Sequence, residues 1–301
     1  ASLSREAEDK TEERALLDAL LSRWASLDID LYTVRDTLEY HGSFSVRNGA
    51  SEPLAEALDQ MVYDGATSLH SVRTAEDHPA PDLTLVFSDG LSNIGHILPD
   101  TSQAPIYTIT GRSDANHIFL RYLANSSGGE HINLTRRTAT EAAEKIGDGR
   151  LRFLGLEIES GEVARVYPTG QVPVDGRFEV SGRLISEQAS VVIQYGRSGE
   201  VLHRVKVELR SDEATDSRMV SRYWAQQRVA ELAVFPEMNQ DELLQLGRRH
   251  GLVTPNTSLL VLETLEQHLE HDVEPPESRP QMHEAWHAQK AILAQQTQES
   301  D

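Results

Sequence analysis

Cysteine is absent from the 301 residues, which excludes disulfides, a thiol nucleophile and any thiolate-bound metal. Lysine is scarce, confined to Lys10, Lys145, Lys206 and Lys290. Basic charge as a whole is outweighed, 28 Lys+Arg against 48 Asp+Glu, for a formal net charge of -20. A field of that sign repels phosphate backbones and anionic lipid, so nucleic acid and membrane surfaces are poor partners. Cations and basic protein surfaces are better ones. No apolar run approaches the roughly 20 residues of a membrane span, and nothing of signal-peptide type opens the chain. There is no G-x-S-x-G elbow, hence no sign of a Ser-His-Asp hydrolase, and no internal repeat. What the chain does have is 39% hydrophobic and 25% charged residues, the balance of a globular protein. Its length suffices for two modest domains, each with a core of its own.

The first half alternates helical and extended patterns. Residues 5–24 set Ala15, Leu16, Ala19, Leu20 and Trp24 on one helical face. "DIDLYTVRD" (28–36) and "YHGSFSVRNG" (40–49) alternate as strands, and "SEPLAEALDQMVY" (51–63) begins with Ser at an N-cap and Pro in the first turn. "DLTLVFSDG" (82–90) and "APIYTITG" (104–111) are apolar strands. "SDANHIFLRYLANSSGG" (113–129) is a helix stopped by Gly-Gly, followed by the strand "EHINL" (130–134) and the helix "ATEAAEKIG" (139–147). Such alternation with short links predicts an α/β fold, a doubly wound and mostly parallel sheet covered on both faces. Between Arg150 and Arg210, short alternating runs separated by Gly and Ser turns predict a β-sandwich-like segment, followed by helices at 216–235 and 239–250. "GLVTPNTSLLVLE" (251–263) is extended and apolar, and the tail from Thr264 is polar, Pro-broken and rich in His and Gln. The expected divisions are 1–148, 149–263 and a partly helical tail, 264–301.

In a parallel sheet, ligands bind at the carboxyl ends of the strands. Ser88-Asp89-Gly90 ends one apolar strand there, although Asp before Gly is also ordinary turn chemistry. The loop "YDGATSL" (63–69) supplies Thr67, and Ser2 and Ser4 supply hydroxyls at the mouth of the first helix. Hydroxyls and one carboxylate form an oxygen-only set, suited to Mg²⁺ rather than Zn²⁺.

The order SxS, helix, GATSL, FSDG, helix-GG resembles a von Willebrand factor A domain with its metal-ion-dependent adhesion site. That family's first metal loop reads Asp-x-Ser-x-Ser, and "ASLS" carries its last four letters. The resemblance implies that Ser2 and Ser4 ligate the ion directly, that Thr67 does so directly or through water, and that Asp89 holds a coordinating water. It implies Mg²⁺, or Mn²⁺ or Ca²⁺ in its place, with one position left for a carboxylate of a partner protein. It also implies an Asp before Ala1, preceded by a buried strand. "RYWAQQRVAEL" and "LGRRHGLVTPNTSLLVLE" look like the stretch that follows the A domain in inter-alpha-trypsin inhibitor heavy chains and their bacterial relatives. Those proteins carry a VIT domain upstream and are commonly secreted or envelope-associated, and the same placement is expected here. The implied function is cation-dependent protein binding, with no enzymatic step.

A second pattern points elsewhere. "HEAWH" (283–287) matches H-E-x-x-H, which on a helix places His283 and His287 on one face for zinc, with Glu284 as general base of a hydrolase. His268 and His271 are candidate further ligands. Incidental transition-metal binding by a His-rich tail is the milder form of this reading, and an A domain that keeps its fold without metal is a third alternative. Trp24 and Trp224 read as packing residues, and His96 and His117 as surface positions near the metal edge.

Overall fold

A computed structural model describes residues 7–34, 38–61, 81–91, 104–174, 176–197, 199–215, 217–255, 257 and 262–298. The chain divides into two compact units, one ending at Leu252 and the other beginning at Val253. The first unit is of mixed α/β class. In chain order its first half comprises α1 (Ala7–Trp24), β1 (Ser26–Val34), β2 (Leu38–Arg47), α2 (Glu52–Gln60), β3 (Thr84–Phe87), β4 (Ile106–Thr110), α3 (His117–Ser127), β5 (His131–Asn133) and α4 (Ala139–Lys145).

Among the described residues, parallel pairing is confined to three strands in the order β3-β4-β5, while β1 and β2 form a separate antiparallel hairpin. β4 is the central strand, and all five of its residues are buried, as a parallel strand covered on both faces requires. Its side chains divide by alternation. Tyr107 and Ile109 face Leu16 and Leu20 of α1 and Ala142, Ala143 and Ile146 at α4. Ile106 faces Phe119 and Leu123 of α3. Each such apolar side chain, fully buried, contributes about 1.5–3 kcal/mol. α1 differs from its expected face at one point: Ala15 is exposed and Glu13 is buried, because the helix turns Leu16, Leu20 and Leu21 toward two clusters at once. The second cluster joins Leu21 to Val46 of β2 and Leu54 of α2, with Ile29 and Phe44 facing one another across the hairpin. The hairpin's other side is polar, where the Ser45 hydroxyl donates to Asp28 at 2.7 Å.

Local signals fix the helix ends. Asn116 caps α3, its side chain accepting from the Phe119 amide at 3.1 Å. Gly128 closes the helix in the left-handed region. Thr138 and Glu141 form a reciprocal capping box on α4. The Arg23 guanidinium of α1 donates to the carbonyls of Ala143 and Ile146, a cation at the C-terminal end of α4.

The second half of the unit carries β6 (Arg152–Ser160), β7 (Val163–Tyr167), β8 (Val172–Pro173), β9 (Ser181–Leu184), β10 (Gln188–Arg197), β11 (Glu200–Arg210), α5 (Arg218–Leu232) and α6 (Gln240–His250). Its strands are antiparallel, one sheet in the order β11-β10-β6-β8 and a pair β7-β9. The expected boundary at residue 148 lies inside this compact unit, for a physical reason. The buried Arg152 guanidinium donates to the Gly129 carbonyl at 3.1 Å, and the Gln171 amide donates to the Asn125 carbonyl at 3.0 Å. Val234, just beyond α5, joins the Val86–Ile106–Phe119 cluster, and Phe235 meets Phe119 edge-on at 6.3 Å. α5 and α6 share a cluster of Ala225, Leu232, Leu243, Leu246 and Leu252. Around it, Arg228 pairs with Glu231 and Glu242, Arg165 pairs with Glu242, and the Tyr167 hydroxyl donates to Glu231.

The second unit contains α7 (Leu265–Glu270) and α8 (Pro280–Gln298). What reads as a polar tail is therefore a pair of helices; most of the apolar stretch at 258–261 lies outside the described residues. Among the described residues, no helix is long and apolar enough to cross a membrane.

Gly129 tests the junction between helix and sheet. A Cβ there would stand 1.8 Å from the Ile106 carbonyl oxygen, a backbone atom that cannot swing aside. Gly129→Ala is expected to cost more than about 3 kcal/mol by forcing β4 and α3 apart. Urea unfolding should report this as a lower midpoint, whereas Gly149→Ala, with open space around its Cβ position and only the strain of its φ of +62°, should lose less.

Candidate functional site

Asp89 stands where the parallel sheet presents its carboxyl edge. The ladder continues past β3, since the Ser88 amide donates to the Ile109 carbonyl at 3.1 Å, and the chain then turns sharply. Gly90 makes that turn at φ +70°, a region that disfavours any side chain, and a Cβ there would lie 2.7 Å from Leu120. The turn is held from both sides. The Gly90 amide donates to the Ser88 hydroxyl at 3.0 Å, and the Leu91 amide to Asp89 Oδ1 at 3.0 Å. The Asp89 carbonyl accepts from the Asn116 amide at 2.7 Å, which ties the loop to the residue that caps α3.

One atom is left over. Asp89 is only 5% exposed, and its Oδ2 has no hydrogen-bond partner among the described residues. A buried carboxylate oxygen normally finds a donor or a cation, because removing an uncompensated charge from water is costly. Ser2, Ser4 and Thr67 lie outside the described residues, so the oxygen set is represented here by Asp89 alone. A carboxylate oxygen is a hard donor and suits a hard divalent cation.

Next to this turn lies a pair of histidines. His117, expected as a surface position, is half-buried, and its Nδ1 is 3.0 Å from Nε2 of His131. His131 Nδ1 in turn lies 3.0 Å from the Thr108 hydroxyl, which donates to the Leu120 carbonyl at 3.0 Å. Neutral rings satisfy every member of this chain if Nδ1 carries the hydrogen on both histidines. A proton added at His131 Nε2 would face the His117 N–H. Burial first, and the neighbouring His117 second, pull His131 down to about 4. His96 lies outside the described residues.

The H-E-x-x-H pattern falls on α8 of the second unit. One helical turn brings the His283 and His287 rings to 4.6 Å between centroids. The carboxylate they meet is Glu274, from the connection between α7 and α8. Its Oε1 lies 2.8 Å from each Nε2. These hydrogen bonds, His287 first, hold the Glu274 carboxyl below its ordinary range. Glu284 is exposed and is not part of this group. His268 is buried with Nδ1 on the Val273 carbonyl at 2.8 Å, and His271 ends α7 on the surface. The spacing located both histidines, but no local signal marks Glu274, nine residues upstream in a Pro-rich connection.

Compared with known proteins, the chain matches no protein-family model and no curated protein sequence.

The histidine pair has a consequence for acid stability. An unfolded histidine titrates near 6.5, whereas His131 in the fold stays neutral down to about 4. Between those values the unfolded chain binds a proton that the native one refuses. Stability therefore falls as pH drops from about 6.5 toward 4 and has no further His131 contribution below that. Thermal unfolding at pH 7 and pH 5 should show His131→Asn with a smaller drop than the parent, the difference being about 1–2 kcal/mol.

Proposed function

We propose that the first unit is a divalent-cation-dependent protein-binding module of the von Willebrand factor A type. The observation that carries the reading is the buried Oδ2 of Asp89 at the carboxyl end of β3, which has no hydrogen-bond partner among the described residues. Three further features support it. β3 and β4 are parallel, so their carboxyl ends lie at one edge, and α1, α3 and α4 cover both faces. β3 is bonded to β4 alone and β1 to β2 alone among the described residues, and an A-type sheet has a strand to place between such edges. The turn that presents Asp89 is anchored by hydrogen bonds on both sides, so the carboxylate is pre-positioned.

In this reading Ser2, Ser4 and Thr67 contribute hydroxyl oxygens, and Asp89 contributes the charge, directly or through a water. Mg²⁺ is the preferred ion, with Mn²⁺ and Ca²⁺ as substitutes. Few charged ligands leave the ion short of neutralisation, so it attracts a further carboxylate from a partner protein. The net charge of -20 makes the ion necessary for that encounter. An acidic chain repels an acidic ligand, and a divalent cation reverses the sign of the field where they touch. Binding alone is required; no bond is made or broken.

The test compares thermal stability of the parent and Asp89→Asn with Mg²⁺ or with chelator. The parent should gain several degrees in millimolar Mg²⁺, as expected when an ion binds the native state only. Asp89→Asn should lose that gain, while in chelator it should unfold close to the parent, because the amide oxygen can still accept from the Leu91 amide. Absence of any Mg²⁺ or Mn²⁺ effect on the parent would overturn the reading.

A further inference from the structure

We propose that the second unit binds one transition-metal ion, Zn²⁺ foremost, through Glu274, His283 and His287, and that the ion staples the α7–α8 connection onto α8. This site is independent of Asp89 and of the cation reading above.

The donor set selects the class of ion. Two imidazole nitrogens and one carboxylate oxygen are borderline ligands, a match for Zn²⁺, Cu²⁺ or Ni²⁺ and a poor one for Mg²⁺ or Ca²⁺. The geometry is close to what such an ion needs. Both Nε2 atoms already converge on Oε1 of Glu274 at 2.8 Å. Ligand bonds of about 2.0–2.2 Å in a tetrahedral shell set donors roughly 3.3 Å apart, so each contact has to open by about half an ångström. The side chains have that freedom, His287 and Glu274 being 52% exposed and His283 27%. The same exposure leaves the fourth position to water.

The fold gives the ion something to do. Beyond Leu252 the buried side chains among the described residues are Thr254, His268 and Pro275, and all four buried apolar clusters of the described residues belong to the first unit. The helix pair is held instead by polar contacts. The Trp286 indole donates to the His268 carbonyl at 3.4 Å, His268 meets the Val273 carbonyl, and Lys290 pairs with Asp272 at 2.7 Å. With few buried apolar side chains among its described residues, such a unit gains from metal coordination as a cross-link. Glu274 comes from the connection and the histidines from successive turns of α8, so one ion cross-links segments that the sequence separates.

Trp286 provides a direct reporter, its ring lying 5.0 Å from that of His287. The full chain, freed of metal with chelator and desalted, is titrated with Zn²⁺ by calorimetry and with Cu²⁺ by tryptophan fluorescence. The expected result is one saturable ion per chain, undisturbed by millimolar Mg²⁺. Cu²⁺ should cause a partial quench limited to the share of Trp286, one of three tryptophans. Glu274→Gln, His283→Gln and His287→Gln should each weaken Zn²⁺ at least tenfold, while Glu284→Gln and Asp89→Asn leave it unchanged. Far-UV circular dichroism of the metal-free variants checks that the helices persist. Hydrogen exchange over residues 265–290 should slow when Zn²⁺ is added to the parent. No saturable binding, binding that survives all three ligand substitutions, or binding lost equally in Glu284→Gln would overturn the proposal.

Discussion

The parallel ladder from β3 through β4 to β5 is the interaction on which the rest of the first unit depends. Because β4 is buried on both faces, it requires α1 and α4 on one side and α3 on the other before any of them is stable alone. The ladder also decides where chemistry can sit. It runs one amide past β3, from Ser88 to the Ile109 carbonyl, and releases the chain into the Gly90 turn with Asp89 beneath it. Shifting that register by one residue would carry Asp89 away from Asn116, and with it the cap of α3.

The β-rich half is bound into the same unit by polar atoms as much as by apolar ones. Arg152 reaches from β6 to the carbonyl of Gly129, at the point where α3 crosses closest to β4. Glu130 beside it pairs with Arg137 and Arg150, so charges flank the seam. A chain with such an excess of acid concentrates its arginines at junctions, where a planar guanidinium can hold two acceptors at once. Arg23 on α4 and Arg228 between Glu231 and Glu242 are further instances. Among the described residues the second unit has no buried apolar cluster, so the convergence of Glu274, His283 and His287 stands out there.

Much of the fold was legible in the residue pattern. All nine elements of the first half occur where the residue pattern placed them, to within a few residues: the run "IYTIT" is a fully buried strand, and Gly-Gly ends α3. The helix expected at 139–147 begins at Ala139 as α4. Other features were not legible, because they depend on what lies opposite. Ala15 and Glu13 exchange roles since α1 serves two clusters rather than one. The division expected at 148 dissolves because Val234 and Phe235, far along the chain, complete the packing on α3. At the candidate sites, sequence reasoning reached Asp89 and the two histidines of α8, whose positions follow from a strand end and a helical turn. It could not reach the Thr108–His131–His117 chain, which joins two strands and a helix.

By itself, then, the amino-acid sequence determined the things that local chemistry controls. These are the absence of thiol chemistry, the acidic field, the helix caps, the strand that ends in Ser88-Asp89-Gly90, and the one-turn spacing of His283 and His287. Tertiary structure alone decided the rest. It left one oxygen of Asp89 buried without a partner among the described residues, made His131 a group that refuses protons, and set Glu274 rather than Glu284 against the histidines. The reason is the same in each case. Burial and convergence are properties of segments distant in the chain, and their energy is gained only when those segments meet.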